Sequence, residues 1–270
     1  MAGWVRPDLL PKLDQVKSNL KNWKTFDWLL FWIIIPTILF LIYALPQEIK
    51  DDWFVLNTVN PWRLQIWFLS SYTHSQLYPH LVGNLAFYFV VLFMIFAFEN
   101  NRNRFRIMAL WSFLAVPFLS SLLTIIFWGM LGRTTTGQGF SAIVGALLAY
   151  AMFVFVVWGT QDKPEVFDHP EQFPGTKARF VVLRFLLAII LVLIVLMGIV
   201  SGIFIDAGGA VTNGIAHFGG FISGLLVLLF IDIRSGERRF FDVTLGTAIL
   251  IGIVAYLYYL ILIIQLVRNG

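Results

Sequence analysis

Seven long apolar runs divide this chain of 270 residues, at 28–45, 80–98, 105–128, 140–158, 180–204, 215–231 and 243–267. Most approach or exceed the roughly 20 residues that an α-helix needs to cross the hydrocarbon layer of a bilayer. Backbone polar groups in lipid find no water, so a spanning segment must be a helix or part of a closed barrel. Barrel strands alternate apolar and polar residues, and these runs do not. Charged residues make up 13% of the chain and hydrophobic residues 59%, whereas a soluble domain has about 25% charged residues. The sequence therefore predicts an all-α polytopic membrane protein.

The segments between the runs add organisation. Within 1–27, Leu13, Val16, Leu20 and Trp23 recur at helical spacing, with Lys12, Lys17, Lys21 and Lys24 on the flanks, which predicts a short helix lying on the membrane surface. The link 46–79 is rich in aromatics and too long for a bare connection, so it reads as a structured, membrane-associated loop. The expected parts are an interfacial segment (1–27), a six-helix core (28–235) and a seventh helix (236–270). If the N-terminus is cytoplasmic, the inner segments hold Arg6, Lys12, Lys17, Lys21, Lys24, Arg102, Arg104, Arg106, Lys163, Lys177, Arg179, Arg234, Arg238 and Arg239. The outer segments then hold only Lys50, Arg63, Arg133 and Arg268, and Arg184 sits just inside the fifth helix. The positive-inside rule selects this orientation and starts helices two, four and six at the outer face. The same placement accounts for the net charge of +4 without a nucleic-acid partner. With no cysteine in the chain, disulfides, thiolate metal sites and cysteine nucleophiles are excluded.

Polar residues inside lipid are costly, so those that occur are candidates for function. His80 and Asn84 open the second run, Ser141 the fourth and His217 the sixth. The predicted topology brings all four to one depth. Ser141 follows Gly139-Phe140, where a loop becomes a helix whose first N–H groups have no intrahelical acceptor and are free to stabilise an oxyanion. A lone serine at such a place more often bonds back to its own helix. Ser141, Gly145 and Ala149 nevertheless form a small-residue stripe matched by Gly220 and Gly224, and small residues at that spacing let two helices approach closely. His217 stands one turn before Gly220, within range to act as the base that a serine nucleophile needs. An interhelical hydrogen bond is the alternative role for His217, and for His80 and Asn84, which share one face and suit an oxyanion hole. No Asp or Glu falls in the core of a predicted membrane helix, since Asp206 is in an outer loop and Glu99 and Asp232 are at inner ends. A Ser-His dyad remains. An aspartyl mechanism lacks its carboxylates, and a zinc helix of the His-Glu-x-x-His type is missing; no cofactor is implied.

These motifs, Trp62-Arg63, His80-x-x-x-Asn84, Gly139-x-Ser141 and Ala216-His217-x-x-Gly220-x-x-x-Gly224, resemble in order and helix position those of the rhomboid family of intramembrane serine proteases. The resemblance covers about residues 28–235. It implies a six-helix rhomboid-like bundle, to which 236–270 adds a seventh transmembrane helix as in some members. It further implies that Ser141 is the nucleophile and His217 the general base, and that His80, Asn84 and the Ser141 N–H form the oxyanion hole. Trp62-Arg63 would belong to a membrane-embedded first loop, the alternative being an interfacial anchor. Substrates would be transmembrane proteins met within the lipid bilayer and cut toward the outer face. Members often carry two histidines five apart, whereas His74 precedes His80 by six, and Gly145 stands where many bacterial members have a tyrosine against which the base packs. His217 then needs another holder, such as an aromatic from a different helix. Two other classes stay open: a catalytically silent relative that binds membrane helices, and a transporter or channel, for which midplane charges or paired broken helices would be the sign.

Overall fold

The computed structural model describes residues 10–132, 134–160, 214–231 and 238–269, with six further positions between 182 and 193. The rest of the fifth run, 180–204, lies outside the described residues, as do the basic segments 161–181 and 232–237 and Arg133. The described chain is mostly helical. Helix α1 (Leu10–Asn22) leads into α2 (Thr25–Tyr43). The long link holds α3 (Gln47–Trp53), α4 (Leu64–Leu69) and a 3-10 turn (Ser70–Tyr72). Then come α5 (Leu77–Phe98), α6 (Arg102–Met130), α7 (Ser141–Thr160), α8 (Gly214–Val227) and α9 (Arg238–Asn269). Helices α2, α5 and α6 are long and apolar enough to cross a membrane, and α7, α8 and α9 contribute shorter apolar stretches. Ile33, Leu41, Phe93, Leu110 and Ile126 on the three long helices are exposed. So large an apolar surface fits a lipid environment.

Helix α7 is apolar all round, and Ala142, Ile143, Ala146, Leu147 and Ala149 to Phe153 are buried. A helix of that kind belongs in the middle of a bundle, and α5, α6 and α8 pack around it. Helix α8 is shorter than its apolar run: it ends at Val227, and the N–H groups of Leu229, Phe230 and Ile231 bond back to Leu226 and Val227 in a tightened last turn. Helix α2 begins earlier than its run, so its first turn includes the buried Asp27, and the cost of burying that carboxylate is offset by Arg106 at 2.8 Å. Buried Glu99, just past α5, is likewise paired with Arg104 at 2.7 Å and accepts the Tyr150 hydroxyl and the Asn101 N–H.

At this same end α1 docks on α5. Asn19 donates to the Ala97 carbonyl at 3.0 Å and Trp23 to the Phe96 carbonyl at 2.8 Å, groups that a helix C-terminus leaves unpaired. The Trp23 ring stacks on Phe96 at 4.1 Å. The docked face thus includes a polar residue, Asn19, whereas Leu13 of the predicted apolar stripe is exposed.

Candidate active site

The site lies at the opposite end of α5, where its first residues meet the starts of α7 and α8. Helices α7 and α8 run parallel and touch backbone to backbone. A Cβ added at Gly220 would lie 2.1 Å from the Ala142 carbonyl oxygen, and one at Gly224 would lie 2.5 Å from that of Ala146. The spacing is the same at both contacts (220 against 142, 224 against 146), as two parallel helices in one register require. Gly145 belongs to the same seam, since a Cβ there would be 3.3 Å from both the His217 carbonyl oxygen and the Phe221 nitrogen. A larger side chain at 145 would press on the α8 backbone. His217 is buried, and its Nδ1 has no hydrogen-bond partner among the described residues. Next to it, Phe218 packs against Tyr256 of α9 at 5.5 Å.

Ser141 is half-buried at the first position of α7. Val144 is the first residue of the helix to bond back, to the Phe140 carbonyl at 3.2 Å, so the N–H groups of Ser141, Ala142 and Ile143 have no intrahelical acceptor. The preceding Gly139 has φ of +132°, a conformation in which only glycine is comfortable. Its position against the site is tight as well: a Cβ there would be 3.0 Å from His80 Nε2 and 3.9 Å from Ser141 Oγ. Gly139 therefore makes room for the imidazole of His80 beside the serine.

The first loop fixes this turn from outside the helices. Strand β1 (Leu56–Asn57) pairs antiparallel with β2 (Thr136–Gly137). The Gly139 N–H donates to the Ser70 carbonyl at 2.9 Å, and the Phe140 N–H donates to His74 Nε2 at 3.3 Å. Because a backbone N–H can only donate, Nε2 of His74 is the acceptor and Nδ1 carries the proton. Asn84 Nδ2, 3.1 Å from the same Nε2, then also donates, which orients its amide. His74 is 1% exposed, and burial, helped by the charge of His80, pushes its imidazole down to about 3. It is thus a neutral acceptor at ordinary pH. The rings of His74 and His80 meet edge to face at 4.8 Å, and the Ser75 hydroxyl lies 3.4 Å from His80 Nδ1.

The structure thus gathers Gly139, Ser141, His80, Asn84, Gly145, His217, Gly220 and Gly224 into one region. Neither Trp62 nor Arg63 takes part in these contacts. Trp62 is 84% exposed, while Arg63 lies over the Trp53 ring and pairs with Asp52 at 3.5 Å. His74, Ser70 and the β1–β2 pairing were not assigned to the site from sequence. The one signal for them was a second histidine upstream of His80, at a spacing that did not fit. Compared with family models, curated proteins and solved structures, the chain matches none.

Proposed function

We propose that this chain is a rhomboid-like intramembrane serine endopeptidase. It has a six-helix core and a seventh C-terminal helix, its N-terminus is cytoplasmic, and its site opens toward the outer face. The observation that carries the reading is the seam of α7 and α8, in which the serine-bearing helix start and the histidine-bearing turn lie against each other beside His80 and Asn84. In this reading Ser141 Oγ attacks the carbonyl carbon of a peptide bond in or near a transmembrane helix, while His217 accepts the hydroxyl proton. The resulting oxyanion is met by the Ser141 N–H, His80 and Asn84. Collapse of the tetrahedral adduct breaks the C–N bond, and the amine leaves with the proton returned by His217. Water, activated by the same base, then attacks the acyl-enzyme and releases the carboxylate and the free serine. The substrates are transmembrane proteins that reach the site through the bilayer. Where many rhomboids have a tyrosine this chain has Gly145, at which even a Cβ would lie 3.3 Å from the α8 backbone.

The test is labelling by a fluorophosphonate together with cleavage of a transmembrane substrate. Ser141→Ala should abolish both. His217→Ala should reduce cleavage to near background, and the double variant should be no worse than either single one, because a base without its nucleophile has nothing to activate. Cleavage by Ser141→Ala at the wild-type rate would refute the serine mechanism.

A further inference from the structure

We infer that Tyr72 is a positioning residue for the Ser141 site, tethering the first loop to α6 through the carbonyl of Phe113, in the π-helical turn just before Pro117; this rests on the protease reading and deepens it. Phe113 lies inside a π-helical turn, Trp111–Ala115, where carbonyls pair five residues on rather than four and the ladder is disturbed. Residue 117 is a proline and has no N–H. Pro117 is buried in α6, so no N–H at 117 serves a carbonyl of that turn, and polar groups left unpaired in a segment of this kind are costly. The Tyr72 hydroxyl donates to the Phe113 carbonyl. It reaches across from the 3-10 turn of the loop, 41 residues away, to a carbonyl of that disturbed turn.

The position of Tyr72 gives this bond its consequence. Two residues before it, the Ser70 carbonyl takes the Gly139 N–H; two residues after it, His74 takes the Phe140 N–H and orients Asn84. Tyr72 is thus the fixed point between the two loop residues that hold the turn before Ser141. Its ring lies 6.3 Å from that of Phe140, which in turn packs on Phe113 at 5.9 Å, so the same two partners are also joined through side chains. Burial pushes the Tyr72 phenol up, which keeps the hydroxyl protonated as a donor. Tyr72 touches none of the reacting groups in the proposed mechanism and acts through Ser70 and His74.

Tyr72→Phe, made in the full chain in detergent or liposomes, removes the donor and keeps the ring. Turnover of a transmembrane substrate should fall on the order of tenfold, the equivalent of one hydrogen bond, with KM unchanged. Combined with His74→Ala, it should add nothing to the loss caused by His74→Ala alone. Wild-type kcat in Tyr72→Phe, or losses that multiply in the double variant, would overturn the inference. Should Tyr72→Phe fail to fold, Tyr72→Phe with Pro117→Ala supplies a further N–H beside the disturbed turn that holds Phe113. Turnover below that of Pro117→Ala alone then supports the tether, and equal turnover overturns it. Failure of the protease reading is separate, because it appears as undiminished cleavage by Ser141→Ala.

Discussion

Replacing Gly220 by alanine tests how α7 and α8 are joined. The new Cβ would lie 2.1 Å from the Ala142 carbonyl oxygen, 2.7 Å from its carbon and 2.8 Å from its Cα, whereas ordinary contact begins at 3.4 Å. The difference between 3.4 and 2.1 Å requires a movement of about 1.3 Å. All three atoms are backbone, so no side-chain rotamer can absorb it, and the two helices must separate. Overpacking of this kind costs about 1–3 kcal/mol and occasionally more, and the clash with main chain favours the upper end. The same chemical change at Gly83 in α5 meets nothing within 4 Å. There alanine should be neutral or stabilising by up to ~1 kcal/mol through helix propensity. Unfolding in detergent micelles, followed by circular dichroism, reads both variants. In the same preparations the rate of fluorophosphonate labelling should fall for Gly220→Ala, because His217 lies one turn from the displaced contact. Equal stability of Gly220→Ala and Gly83→Ala would refute the close approach of the two backbones.

Two further outcomes follow from the loop and the topology. His74 has its pKa lowered from 6.5 to about 3, so between these values the unfolded chain binds a proton that the folded chain does not. Stability should therefore decline on acidification from pH 6.5 toward 3, by at most about 1.4 kcal/mol per pH unit from this group. Comparison of unfolding midpoints should show a shallower decline in His74→Gln, and identical pH dependence would count against a buried neutral imidazole. For orientation, Asn103→Cys at the α1 end and Thr134→Cys at the Ser141 end are exposed positions in a chain without cysteine. An impermeant thiol reagent should reach them from opposite sides of the membrane, and labelling of both from one side would overturn the proposed orientation.

How much of this was legible in the sequence depends on the range of each signal. Long apolar runs announce helices because length and composition are local, and α2, α5 and α6 appear close to where the runs put them. The seam of α7 and α8 was legible in part: Gly145, Ala149, Gly220 and Gly224 lie in it, but the α7 residues that Gly220 and Gly224 press on are Ala142 and Ala146, one position beyond the stripe begun at Ser141. The contacts of the first loop were not. Leu56 opposite Gly137, or Ser70 opposite Gly139, pairs positions about 70–80 residues apart through backbone groups that every residue possesses. Nothing in residue type marks them. Asn19 escaped for a related reason: it is polar on a docked face, and only the unpaired carbonyls at the end of α5 explain why.

The long link between α2 and α5 therefore does more than connect. The first residue of a helix is fixed in place by the packing of its helix, but its direction depends on the residues just before it, which lie outside the helical ladder. Here those residues are Gly139 and Phe140, and their N–H groups are taken up by Ser70 and His74 of the loop. Apolar packing thus sets where α7 stands, while polar atoms of the loop set how its first turn is entered. The two sets of contacts involve different residues and different forces. A loop substitution such as His74→Ala can therefore disturb the turn while the seam of α7 and α8 stays closed, whereas Gly220→Ala opens the seam and carries the turn with it. That asymmetry is a physical consequence of placing Ser141 where a buried apolar helix begins.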